Sequence, residues 1–339
     1  MLRIQLDELQ RTIEQALLRA GLGPQQALQC ARVHASSSCD GVNSHGLNRV
    51  PRFIEYVDKG WIDIAAESTL VSALGAIEVY DGHQGIGVTN ALFATERAME
   101  MARVQGVGIV ALRNTTHWMR GGSYGWHAAQ QGFASICWTN TESCMPAWGA
   151  ADCRIGNNPL VIAVPRTEGP LVLDMAMSQY SYGKLQTTRL QGQPLAYDGG
   201  YDSEGRLTRD PGAIEASRRI LPTGYWKGSG LSIMLDAMAA LLSQGLATNQ
   251  IDEIKQGSGT GASQVFMLFD PRQLGGAAVA DQIANSVADY VQASEPAEAD
   301  SRVMYPGAST WQRREDNRQR GVPVDEDIWE QVQALARGD

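Results

Sequence analysis

Two stretches of this 339-residue chain combine side chains that can move a proton with side chains that can hold an acid. One is Gly41-Val42-Asn43-Ser44-His45-Gly46-Leu47-Asn48-Arg49. The other is Asn114-Thr115-Thr116-His117-Trp118-Met119-Arg120-Gly121-Gly122-Ser123-Tyr124-Gly125. In each, a histidine and an arginine stand a few residues apart among small residues. Imidazole exchanges a proton near neutral pH. Guanidinium grips a carboxylate through two parallel N–H donors, and glycine lets a bound molecule approach the backbone. The combination suits a reaction at a carbonyl that lies beside a carboxylate.

Other chemistries find less support. The fingerprint of a Rossmann dinucleotide site, a strand, then G-x-G-x-x-G, then a helix, is missing. Gly82-His83-Gln84-Gly85-Ile86-Gly87 has the wrong spacing, and Gly257-Ser258-Gly259-Thr260-Gly261 precedes a strand. Gly183-Lys184 lacks the rest of a phosphate-binding loop. No metal site is expected, because the five histidines form no His-x-x-x-His pair and the five cysteines no Cys-x-x-Cys pair. The odd number of thiols fits a reducing compartment. Ser44 next to His45 does not make a hydrolase triad, and no G-x-S-x-G elbow occurs. His34 reads as a packed helix residue, His83 as a solvated turn residue and His127 as an outward-facing or capping one. His45 and His117 stay open between chemistry and structure: the first as a loop ring bonded to backbone, the second as a ring stacked on Trp118. Tyr225-Trp226-Lys227-Gly228-Ser229-Gly230 enters a helix. Its first N–H groups could hold an anion, or it is a plain helix start with a surface lysine.

These residues need elements to position them. Leu6, Leu9, Ile13, Ala16, Leu17 and Ala20 share one helical face over residues 6–21. Pro24 opens a second helix with Ala27, Cys30, Ala31 and His34 inward. Phe53, Ile54 and Val57 mark a third that ends at Gly60, so the first histidine segment lies in a loop between helices. From about residue 69 short apolar runs alternate with longer helical patterns, which points to an α/β core. Strands are expected at 76–80, 107–112, 133–139, 160–165, 170–176 and 263–269, and helices at 87–105, 121–131, 228–244 and 277–293. His117 then falls just past the end of a strand, where α/β proteins bind ligands. Residues 193–214, rich in Gly, Asp and Pro, read as a long covering loop, and Trp311 to Ala336 as charged and helical, broken at Pro323.

The hydrophobic fraction of 43% and charged fraction of 19% are those of an ordinary globular protein. A net charge of −9 argues against a general affinity for nucleic acid or anionic membrane. An acid-binding site must therefore be a local arginine or lysine pocket. No apolar run approaches the roughly 18 residues of a membrane span. Asp7 and Glu8 stand where a signal peptide needs apolar residues, so a cytoplasmic location is expected.

Five strings carry a resemblance: Gly41 to Arg49, the strand-then-histidine at 107–117, Gly156-Asn-Asn-Pro-Leu160, Leu173-Asp-Met-Ala-Met-Ser178 and Gly183-Lys184. In these the chain resembles the malate/L-lactate dehydrogenase family that is distinct from the Rossmann-type lactate dehydrogenases. His117 to Trp126, Arg218 to Pro222 and Gly224 to Gly230 match a branch that reduces a 2,3-diketo sugar acid at C2. The resemblance implies an α/β fold whose nicotinamide-binding mixed sheet is unlike the Rossmann fold. It implies an N-terminal helical domain (1–68), a catalytic and cofactor-binding core (69–300), and a C-terminal segment (301–339) packed on the N-terminal domain. It implies a homodimer that uses NADH, with NADPH as the alternative, and acts on a small molecule rather than on nucleic acid or membrane. By match, protonated His45 is the proton donor, oriented by Ser44. As a hypothesis of mechanism, Arg49 and Arg120 bind the substrate carboxylate, His117 binds the polyol or backs the alkoxide, and Asp202 is a secondary acid or a ligand of a substrate hydroxyl. The cofactor contacts fall at Pro170, Leu171, Val172, Leu173, Asp174, Met175 and Ala176, at Trp226 and Lys227, and at Gly307, Ala308 and Ser309. Ala308 and Ser309 replace the family's usual histidine or other polar residue, so backbone contacts are expected there. Rival readings are a relative acting on malate, lactate or ureidoglycolate, and a sugar-acid binding protein without catalysis.

Overall fold

The alternation of apolar runs and helical patterns resolves into one mixed sheet with helices on both faces, and a helical unit built from both chain ends. A computed structural model describes residues 2–298 and 301–338. The N-terminal part holds β1 (Leu2–Ile4), α1 (Leu6–Arg19), α2 (Pro24–Cys39) and α3 (Val50–Asp58). The core follows with β2 (Thr69–Leu74), β3 (Ile77–Asp81), α4 (Gly87–Gln105), β4 (Val107–Thr115), α5 (Gly122–Gln130) and β5 (Ala134–Thr139). Next come β6 (Met145–Pro146), β7 (Cys153–Ile155), β8 (Leu160–Val164), β9 (Leu171–Met175), α6 (Tyr182–Leu190), β10 (Gly200–Tyr201), β11 (Leu207–Thr208) and α7 (Pro211–Ser217). It closes with α8 (Trp226–Ser243), α9 (Thr248–Ile254), β12 (Ala262–Phe269) and α10 (Ala277–Gln292). The tail adds α11 (Ala308–Arg320), β13 (Val322–Val324) and α12 (Glu326–Arg337).

The seven-stranded sheet runs β2-β3-β4-β12-β5-β8-β9. Only β3 and β4 pair in parallel, with α4 as their crossover; the other neighbours are antiparallel. Successive strand residues point to opposite faces. On β12, Phe266 joins the core under α4 and α5, while Val265 joins the core under α8. Val110 and Leu112 against Ala111 repeat the division on β4. Both faces are thus covered, which is why these strands read as near-continuous apolar runs.

The chain ends meet. β1 pairs with β13, Leu2 facing Val324 and Ile4 facing Val322. Val322, Val324, Trp329 and Val332 share one apolar cluster with Leu9, Ile13, Leu17 and Phe53. The expected core–tail boundary at residue 300 lies outside the described residues, as do residues 1 and 339.

The structure departs from the sequence reading in places. β2 is an extra edge strand, exposed along its length, so no apolar alternation announced it. β4 runs on to Thr115 because Arg113 and Asn114, polar residues, both bind Asp81. The segment read as a loop over 193–214 folds into the β10–β11 hairpin and α7. Asp210 caps that helix by accepting the Gly212 N–H at 2.8 Å, and Pro211 fits its first turn. Pro323 lies within β13 opposite Arg3. No single helix among the described residues is long and apolar enough to cross a membrane.

Candidate active site

His45 is carried by two tight 3-10 turns, Asn43–His45 and Leu47–Arg49, between α2 and α3. His117 comes from the other side, two residues past the end of β4. Gly87, at the start of α4, lets this segment close on the helix: a Cβ there would strike the carbonyl oxygens of Thr116 and His117. The two imidazoles stack, with centroids 5.7 Å apart and planes inclined by 27°. They line one cleft of about 260 Å³ together with Ser44, Arg120, Asp174 and Gln264. Two larger depressions, of about 540 and 370 Å³, hold neither ring. Chemistry rather than volume selects this one.

The protonation states follow from the surroundings. His117 Nδ1 accepts the Met119 N–H at 2.9 Å, so its proton sits on Nε2. Burial first, then Arg49 and His45, hold its pKa well below the ordinary value. It is a neutral N–H donor. His45 Nδ1 lies 3.0 Å from Ser44 Oγ, and a hydroxyl can donate to that nitrogen or accept from it. Burial and the nearby Arg49 cation lower the His45 pKa to about 4, against a smaller opposite pull from Asp174. The resemblance implies an imidazolium at His45. In the ligand-free chain it is neutral at pH 7, because desolvation and a neighbouring cation both disfavour its charge.

The arginines divide. Arg49 is half-buried and has no carboxylate at ion-pair distance among the described residues. Burial, then Arg52, lower its pKa against smaller opposite pulls from Tyr56 and Glu142, and it stands close to the two rings without lining their cleft. Arg120 is only 5% exposed and already committed. Its Nη1 bonds Asp40, and its Nε donates to Asp174 Oδ2 at 3.1 Å. Burial opposes its charge, but Asp174 and Asp40 outweigh burial and raise its pKa. Asp40 in turn takes a two-pronged pair from Arg314, at 2.6 and 2.7 Å. Arg120 therefore lines the cleft with its main donors spent on two protein carboxylates, which leaves less for a substrate acid than the motif implied.

Asp174 and Ala176 bring the expected cofactor stretch into the same cleft as both histidines. Gly307 closes on its other end: a Cβ there would sit 2.9 Å from Val172 N, and Val172 N–H donates to Pro306 O at 2.9 Å. Ala308 and Ser309 begin α11 at that point. Trp226 and Lys227 are exposed at the start of α8. The turn before them is tied to the end of β9 by Thr223 N–H donating to Met177 O at 2.8 Å, but they do not line the cleft. Asp202 does not line it either. Its Oδ1 accepts the N–H groups of Glu204 and Arg206, both at 2.9 Å, inside its own hairpin turn, as a short carboxylate in a turn commonly does.

Two residues escaped the sequence reading. Asp40, 1% exposed, looks in sequence like any polar residue ending a helix; only its two arginine partners, distant along the chain, distinguish it. Gln264 is fully buried on β12, where it and Ser263 precede the apolar run Val265–Phe269, and that polar start to a buried strand was its signal. Its Nε2 donates to Thr116 O at 3.3 Å, while its Oε1 has no partner among the described residues.

A mixed sheet without a Rossmann turn, and a histidine pair facing β9 across a cleft, define a dehydrogenase of the non-Rossmann type. The chain belongs to the malate/L-lactate dehydrogenase family, whose model matches residues 4–333. It is an oxidoreductase, of a family that works with a nicotinamide cofactor. Among its relatives, the 2,3-diketo-L-gulonate reductase of Pasteurella multocida is 46% identical over 98% of this chain and 100% of that protein. The protein of the same name from Klebsiella pneumoniae is 44% identical over the same shares. The fold matches malate dehydrogenase from Entamoeba histolytica with a TM-score of 0.93 at 23% identity, covering 99% of this chain and 98% of that one.

Proposed function

We propose that this chain reduces 2,3-diketo-L-gulonate at C2 to 3-dehydro-L-gulonate with NADH. The observation that carries the reading is the single cleft that holds His45, His117 and the β9 residues Asp174 and Ala176. The full-length relatives named for this substrate supply its identity.

The residues present fit a nicotinamide. The orphaned Oε1 of Gln264 is an acceptor on the cleft wall without a donor, and a carboxamide N–H₂ has the matching chemistry. Pro170 to Ala176, Trp226, Lys227 and Gly307 to Ser309 would hold the cofactor, which when bound supplies the hydride. The rest is the chain's own work. Arg49 pairs with the substrate carboxylate and so fixes the neighbouring carbonyl. Burial is the larger cause of the lowered His45 pKa and Arg49 the second; pairing offsets the second and brings a negative charge near the ring, which favours uptake of a proton as the acid binds. His45 then gives this proton to the forming alkoxide oxygen. Ser44 can follow the ring in either state. His117 Nε2–H, neutral throughout, donates to the same oxygen or to a polyol hydroxyl.

We also infer a homodimer. The outer face of α8 exposes Trp226 (64%), Met234 (58%) and Leu241 (70%) beside Ile233, more apolar surface on one helix face than a monomer usually leaves bare. A second copy of the chain is the occupant that fits.

NADH consumption across 2,3-diketo-L-gulonate, oxaloacetate, pyruvate and a ureidoglycolate-derived keto acid tests the function. The diketo acid should give the highest kcat/KM, and NADH should outperform NADPH. Preference for another acid, or for NADPH, would replace that part of the reading.

A further inference from the structure

We propose that His34 is a positioning residue for His45, holding the loop that aims the catalytic ring. The inference rests on His45 being the proton donor. His34 lies on α2, is 0% exposed, and touches the cleft nowhere. Its Nδ1 is 3.0 Å from the carbonyl oxygen of Gly46, the residue directly after His45. A carbonyl only accepts, so Nδ1 carries the proton and donates. The other nitrogen, Nε2, is then a buried lone pair, and it has no partner among the described residues. The ring edge faces Phe53, with centroids 6.1 Å apart. An apolar residue would fill this place without stranding a polar atom. What the imidazole adds is the single bond to the Gly46 carbonyl.

A second α2 side chain grips the same loop. Ser38, one helical turn after His34, accepts the Leu47 N–H on its Oγ at 2.8 Å. Gly46 lies pressed between the two anchors: a Cβ there would strike Ser38 Oγ and would sit 2.9 Å from His34 O. The Gly46–Leu47 peptide unit is thus held by α2 at both its carbonyl and its N–H, through one donor and one acceptor. His45 is fixed from behind while its ring stays free to face His117. Burial lowers the pKa of His34 to about 4, so the ring is neutral at neutral pH, with its one proton on Nδ1 toward the Gly46 carbonyl, and adds no cation next to that of Arg49.

The amide nitrogen of asparagine reaches nearly the position of Nδ1, whereas that of glutamine reaches toward Nε2. His34→Asn therefore keeps the donor; His34→Gln and His34→Leu remove it from that place. All three disturb the packing against Phe53, so all three should lower Tm. Turnover of the diketo acid should separate them. We expect His34→Asn within about threefold of wild-type kcat, and His34→Gln and His34→Leu lower by about 10- to 100-fold, with NADH binding unchanged. Wild-type turnover in His34→Leu, or a kcat that follows Tm through the series, would overturn the proposal. Ring ¹⁵N signals of His45, recorded without substrate, give a second reading: displaced in His34→Leu and restored in His34→Asn if the proposal holds, indifferent to all three if it does not. That reading stands even if the wild-type chain leaves the diketo acid untouched, an outcome that would count against the functional proposal alone.

Discussion

At the scale of single residues, one cation stands beside the cleft without an ion-pair partner among the described residues, while the cation that lines it, Arg120, is paired. Arg49 lacks a carboxylate partner among the described residues, and it depresses both His45 and His117. Replacing its planar fork by a point charge should weaken the grip on the acid. In Arg49→Lys the apparent KM for the keto acid should rise about 10-fold or more with NADH affinity unchanged; an unaltered KM would remove Arg49 from the substrate site. The His45 pKa of about 4 in the free chain carries a pH consequence. A depressed pKa means that the free ring is neutral above that value. If the bound acid restores the proton, binding takes up protons, and by linkage the apparent affinity must rise as pH falls toward about 4. Mixing chain, cofactor and acid in weak buffer with a pH indicator should register this uptake. Proton release, or an affinity indifferent to pH, would contradict it.

Among elements, the central device is the buried chain of charges Asp174–Arg120–Asp40–Arg314, which joins β9, the approach to α5, the end of α2 and α11. Arg314 also lies over the Trp126 ring, 4.1 Å from its centroid. Removing one partner from a buried network leaves an uncompensated charge, which costs about 3–5 kcal/mol. Arg314→Met should lower unfolding stability in urea by that amount; a change below about 0.5 kcal/mol, the size of an ordinary surface substitution, would show the network to be incidental. How far the sequence revealed these elements depends on what holds each one. α4 was expected at 87–105 and spans Gly87–Gln105, because a long buried face is a local pattern that ends at Gly106 in the left-handed conformation. The six core strands were placed within a few residues for the same reason. β2, α6 and the β10–β11–α7 region were not, since their signals are exposed or polar and their partners distant. In the site, the histidine segments were legible by residue type. The prior engagement of Arg120, the inward turn of Asp202 and the ligand-free charge of His45 were not, because each depends on residues remote in the chain or on burial.

On the scale of the whole molecule, the two chain ends close into one helical unit that presents His45 to a sheet presenting His117 and Asp174. The proposed reaction thus needs two units held in register; the buried charges span them, and so does the apolar packing of Ile86, Val88 and Met119 in the cluster of the helical unit. The bare apolar face of α8 stands apart from this arrangement and fits association with a second copy. Met234→Glu should convert a dimer to a monomer in light scattering after size exclusion; a wild-type monomer, or a variant that stays dimeric, would rule that face out. The central claim is that His45 protonates the oxygen of a keto sugar acid while reduced nicotinamide supplies the hydride. The most direct measurement follows NADH oxidation with 2,3-diketo-L-gulonate by the wild type and by His45→Gln side by side, with NADH binding checked by its fluorescence. The account predicts that both bind NADH alike and that the variant loses about 10²- to 10⁴-fold in turnover; turnover within a few-fold of the wild type would contradict it.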